Sequence, residues 1–197
     1  MIKIIQSSPS TKKSGFLSNI IPNPKERKII ILFSLVTIIL IITGIIVIFL
    51  NRQQLFAQDF RHYKGIFKQF GSISRIGYFS VLSIYPIYLL LKSKKIKNLH
   101  LGDFQAKTPL QFLAKLARKW HVPVALISTG IVALHGLLAI IRGFKFNFTY
   151  LSGIASMVIL LFLILMGLKR FKRVDHQWHF KLAIGFLILF MIHATFA

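Results

Sequence analysis

The 22 residues Ile29–Leu50 are drawn only from Ile, Leu, Val, Phe, Thr, Ser and Gly, and no other stretch limits the fold so strongly. About 20 apolar residues in a helix cross the hydrocarbon core of a bilayer, and a lone segment satisfies its backbone there only as a helix. The run exceeds the roughly 7–15-residue core of a secretory signal and has no A-x-A cleavage pattern, so it reads as a retained first span. Ahead of it, residues 1–28 form a basic tail (Lys3, Lys12, Lys13, Lys25, Arg27, Lys28), in which Pro22 and Pro24 should discourage a continuous helix.

Four more apolar stretches follow: Ile76–Leu91, which contains Pro86, then His121–Ile141, Phe148–Leu168 and Trp178–Phe196. Between the first two spans, residues 51–73 set Leu55, Phe56, Phe60, Tyr63, Phe67 and Phe70 among basic residues, the spacing of a helix lying on the membrane surface. Residues 109–119 have the pattern of a short amphipathic helix leading into the third span. The expected architecture is an all-α integral membrane protein, with a cytoplasmic tail over 1–28 and a bundle of five transmembrane helices over 29–197.

Apolar residues make up 55% of the chain, in keeping with that class. There is no cysteine, which removes disulfides, thiolate-ligated zinc or iron–sulfur centres, and haem attached through CxxCH. The 26 Lys and Arg against 4 Asp and Glu would point to nucleic acid in a soluble chain. Here they border apolar runs, where they set topology and meet anionic lipid, so no nucleic-acid role is expected. With the N-terminus inside, 19 of the 26 fall on the cytoplasmic side and 7 outside. The positive-inside rule therefore puts the N-terminus in the cytoplasm and the C-terminus outside, in a plasma membrane. The heavy use of Ile and Lys points to a bacterial source.

The third and fifth spans carry matching patterns. Trp120-His121 is followed, after thirteen intervening residues, by His135, and Trp178-His179 likewise by His193. Fourteen residues make almost four helical turns, so the histidines of each helix share a face to within about 40° and lie about 21 Å apart along the axis. Ionisable side chains inside spans are rare and tend to be functional, and here four recur at one spacing. Both helices run from inside to outside, which levels His121 with His179 near the cytoplasmic face and His135 with His193 near the outer face. Two stacked haem b groups, each held by one imidazole from either helix, fit that layout, with the bundle built around them.

Candidate partners of the haem propionates are Arg118, Lys119, Lys172 and Arg173 inside, and Arg142 and Lys145 outside. Gly130 and Gly185 lie between the histidines of their helices, where a small residue would admit a porphyrin or, equally, a packed helix. His176 is about 100° out of phase with His193, so His179 is preferred to it. His62 and His100 read as loop residues. No catalytic side chain is assigned, and a metal other than haem iron is disfavoured because the histidines are dispersed and lack acidic co-ligands.

At His121/His135 and His179/His193 the chain resembles the ferric-reductase-like transmembrane domain family, which includes the membrane domains of NADPH oxidases, of metalloreductases and of the methionine sulfoxide reductase haem subunit. The shared pattern is H-x13-H on the third and fifth helices, approached by Pro86, a basic loop with Gly102, and Lys119-Trp120-His121. The resemblance covers about residues 30–197. It implies a bis-haem electron conduit, an oxidoreductase component. The family usually has six helices where five are counted here, and many members continue into FAD and NADPH domains that are absent here, so NADPH oxidation by the chain itself is not expected.

The expected function is electron transfer across the bilayer, from a cytoplasmic flavoprotein reductase or a quinol to an extracytoplasmic acceptor. Quinone or flavin would enter through a partner. A quinol-linked cytochrome b uses a similar pair of H-x13-H helices and is the nearest rival. The other alternative is a non-redox scaffold or assembly protein whose histidines bridge helices. A transporter would lack intramembrane carboxylates, since Asp59, Asp103 and Asp175 all fall in loops.

Overall fold

The computed structural model describes residues 16–57, 60–94, 100–101, 104–105, 107–171 and 177–196. The helices are α1 (Phe16–Ile20), α2 (Pro24–Leu50), α3 (Arg52–Ala57), α4 (Phe60–Leu82), α5 (Ile84–Lys92), α6 (Lys107–Ile141), α7 (Phe148–Phe171) and α8 (Trp178–Phe196). Between α5 and α6 a two-residue antiparallel pairing sets β1 (His100–Leu101) against β2 (Phe104–Gln105). Five helical segments are long and apolar enough to span a membrane: α2, Gly65–Lys92 across α4 and α5, α6, α7 and α8.

Several expected boundaries move, each for a local reason. Pro24 does not block the first span but opens it, at the start of α2 where a missing N–H costs nothing. Asn23 caps it, its side chain accepting the Lys25 N–H at 3.0 Å. The described residues of the stretch expected to lie on the membrane surface are almost all helical, and residues 60–73 belong to α4. Phe67 and Phe70 face inward onto Ile48, Leu134 and Leu138, so they pack the bundle rather than float on lipid. The lead-in at 109–119 and the third span are one 35-residue helix, α6, which runs through Pro123 without ending.

Pro86 takes its effect just past Ser83, where α4 passes into α5: it offers no N–H to the Leu82 carbonyl. Ser83 keeps helical torsions and joins the two through Ser83 N–H to Phe79 O at 2.9 Å and Ile87 N–H to Ser83 O at 3.2 Å. The turn from α6 to α7 uses Gly143 at φ 118°, a left-handed conformation that glycine alone adopts freely. Asn147 then caps α7 by accepting the Tyr150 N–H at 3.0 Å.

The helices form two groups. α6 packs against α2, α4 and α5, while α7 packs against α8. Small residues bring α6 close to its neighbours: a Cβ at Gly77 of α4 would collide with the Ser128 hydroxyl, and one at Gly130 would lie 2.9 Å from Thr37 of α2. The backbones of α6 and α8 approach each other less than those of the pairs just named. Tyr78 of α4 instead crosses to α8 and meets Phe186 and Phe190 edge-on at 5.0 and 5.9 Å. Tyr85 of α5 meets Phe180 at 4.8 Å.

Candidate functional site: two facing histidine pairs

The gap between α6 and α8 is where the four histidines meet. The His121 and His179 rings lie 6.3 Å apart, centroid to centroid, with planes at 63°. The His135 and His193 rings lie 6.4 Å apart with planes at 79°. The pairing runs 121 with 179 and 135 with 193, so α6 and α8 are parallel. All four rings are half-buried.

The neighbouring helices aim these rings. Nδ1 of His121 lies 3.2 Å from the Val81 carbonyl, and Nδ1 of His135 lies 3.1 Å from the Phe67 carbonyl, both on α4. Nδ1 of His193 lies 3.0 Å from the Thr149 carbonyl on α7. A carbonyl only accepts, so in each of these rings Nδ1 carries the proton and Nε2 keeps its lone pair. The Ser152 hydroxyl donates to the same Thr149 carbonyl at 3.0 Å and lies 3.4 Å from His193 Nδ1. Phe67 also stacks its ring on His135 at 4.0 Å.

Glycines sit where the rings need room. A Cβ at Gly71 would lie 3.1 Å from Cε1 of His135, one at Gly153 would lie 2.9 Å from Cε1 of His193, and one at Gly167 would lie 3.7 Å from Cε1 of His179.

The separation of the rings compares with that of two imidazoles on one metal. A five-membered ring has its centroid about 1.15 Å from each atom, and a metal–imidazole bond is about 2.0 Å, so two rings sharing one metal have centroids about 6.3 Å apart. Both pairs meet that separation. The donor set also agrees: all four donors are imidazoles, and those of His121, His135 and His193 hold Nδ1–H in an outer hydrogen bond to a carbonyl. Among the described residues no group of three or more His, Cys, Asp or Glu gathers as a metal cluster.

The other expected site residues divide. Arg118 is engaged by Tyr88: Nε donates to the Tyr88 hydroxyl at 2.9 Å, an Nη donates to the same oxygen, and the guanidinium lies over the ring. Lys119, Arg142 and Lys145 are exposed. Lys172, Arg173 and His176 lie outside the described residues, as do the side chains of His62 and His100. Gly130 faces α2 and Gly185 faces Ile159 of α7, so both serve helix packing rather than opening the gap between α6 and α8.

Sequence reading missed Gly71, Gly153 and Gly167, and it passed over Arg170 in the last turn of α7. It also missed the layer of Tyr78, Phe186 and Phe190, which packs between the pairs. One signal was present: Gly153 and Gly167 stand fourteen residues apart, the spacing of the histidines. No protein-family model, no curated protein and no solved structure matches the chain.

Proposed function

We propose that this chain is a b-type cytochrome of the plasma membrane that carries electrons across the bilayer through two haems, one held by His121 and His179, the other by His135 and His193. The observation that carries the reading is the repeated separation, 6.3 and 6.4 Å, of two histidine pairs on parallel helices. The separation recurs at two levels, each time between histidines set fourteen residues apart along their helices, as two two-ligand sites would require.

Each bound haem would supply an iron that accepts and releases one electron, while the chain supplies binding, orientation and electrostatics. The α4 and α7 carbonyls hold His121, His135 and His193 in the tautomer that keeps the Nε2 lone pair available to an iron. Tyr78, Phe186 and Phe190 add a buried aromatic layer at the level between the pairs. With the N-terminus in the cytoplasm, as the distribution of Lys and Arg favours, the His121–His179 pair lies inward. Arg170, three residues beyond the Gly167 that borders His179, would offer a basic side chain to an anionic haem edge there. Electrons enter at this end from a flavoprotein reductase or a quinol, drawn by the basic surface. They leave near His135 and His193 for an extracytoplasmic acceptor.

The absorbance spectrum of the purified protein decides the reading. A Soret band, a b-type α-band on reduction and two haems per chain are expected. A colourless protein that tolerates His→Gln at all four positions would instead be a scaffold.

A further inference from the structure

We infer that Gly71 and Gly153 are positioning residues of the His135–His193 pair, fixing the two imidazole planes close to perpendicular. The inference rests on the haem reading and concerns how the chain itself shapes one of the two sites.

The two rings are seated alike. His135 bonds to the carbonyl of Phe67 and rests against Gly71, four residues further along α4. His193 bonds to the carbonyl of Thr149 and rests against Gly153, again four residues further along its helix, α7. Each ring thus lies along one turn of a neighbouring helix, tied at one end of the turn and backed by bare backbone at the other. A methyl group at Gly71 would stand 3.1 Å from Cε1 and 3.3 Å from Nδ1 of His135. At Gly153 the same distances to His193 would be 2.9 and 3.1 Å. Each ring is bordered on a second side as well. Phe67 covers a face of His135, and Ser152 borders Nδ1 of His193. An added methyl must therefore turn the ring and strain its bond to the carbonyl.

The other pair is built more loosely. Gly167 leaves 3.7 Å to His179, an ordinary contact, and the residue four after Val81 is Tyr85. The planes there meet at 63° rather than 79°. Plane angle has a magnetic signature. Perpendicular imidazoles act equally on the two iron d orbitals that overlap their π systems and leave them nearly degenerate, which makes a low-spin ferric spectrum strongly axial. Parallel imidazoles split those orbitals and make it rhombic.

The test is low-temperature EPR with haem-to-protein ratios on the full chain, for wild type, Gly71→Ala, Gly153→Ala and Gly136→Ala. A Cβ at Gly136 would meet nothing within 4 Å, so that variant controls for alanine next to a histidine. His135→Ala identifies which signal belongs to this pair. We expect Gly71→Ala and Gly153→Ala each to move that signal from axial toward rhombic, or to remove it with one haem, while the other signal stays and reports an intact bundle. Gly136→Ala should match wild type. The inference is overturned if both glycine variants keep the wild-type signal, or if both signals vanish together. A wild-type chain without haem would overturn the inference and the cytochrome reading alike, whereas two haems with indifferent glycines would overturn the inference alone.

Discussion

Nδ1 of His121 points at the carbonyl of Val81, 3.2 Å away, and fourteen residues earlier on the same helix the Phe67 carbonyl takes Nδ1 of His135. The helix α4 therefore carries, in backbone atoms, the same fourteen-residue period that α6 carries in side chains. Such a period keeps both contacts on one face of each helix. The helix that holds the imidazoles and the helix that aims them are in register over the whole distance between the two pairs.

Because the pairs are separate, they should be lost separately. His135→Ala removes one ligand of one pair and leaves His121 and His179 with their α4 and α7 surroundings intact. One haem per chain should remain, with the α-band reduced to a single component. Loss of both haems on this substitution would mean that the pairs form one cooperative site.

Phe67 contributes through two different atoms. Its carbonyl fixes His135 and its ring stacks on it at 4.0 Å. Phe67→Leu keeps the carbonyl and removes the ring. Stacking of this kind contributes about 0.5–1.5 kcal/mol beyond area burial, so haem at this pair should be released at a lower temperature while the stoichiometry stays at two. Thermal release followed at the Soret band measures it, and a variant already lacking one haem at low temperature would show the ring to be indispensable.

Much of this architecture was legible in the sequence. The five apolar runs and the two H-x13-H patterns depend on side-chain identity and on the helical period, and both are written in the letters. The limits of the second and third spans were not, because Phe67, Phe70 and residues 109–119 are amphipathic, and only the tertiary partners decide whether such a face meets lipid or protein. The second shell was less legible still. Every residue has a carbonyl, so nothing marks Phe67, Val81 or Thr149 in advance. Gly130 and Gly71 also look alike on paper. One meets Thr37 of α2 and the other meets His135, and that difference belongs to the crossing of helices, not to the residue.

Orientation can be read directly because the chain has no cysteine to confuse the label. Lys145, exposed between α6 and α7, and Lys94, exposed beyond α5, lie at opposite ends of the bundle. With the N-terminus inside, Lys145→Cys should react with a membrane-impermeant maleimide in intact cells. Lys94→Cys should react only after permeabilisation. The opposite pattern would reverse the electron path.

The close crossing of α4 and α6 sets where both α4 carbonyls fall, since Gly77 and Ser128 meet between the two histidine levels. A Cβ at Gly77 would collide with the Ser128 hydroxyl and lie 3.1 Å from its Cβ. Gly77→Ala should therefore push the helices apart, and overpacking of this kind costs about 1–3 kcal/mol. Removing the hydroxyl as well, in Gly77→Ala with Ser128→Ala, takes away the worse clash and leaves the milder one. The double variant should recover most of the thermal stability lost by Gly77→Ala alone, a favourable coupling where two independent lesions would show none. Unfolding curves in one detergent for the four members of this cycle measure it. Simple additivity would mean that α4 and α6 can slide past the obstruction, and the carbonyls of Val81 and Phe67 would then owe their positions to the histidines rather than to this crossing.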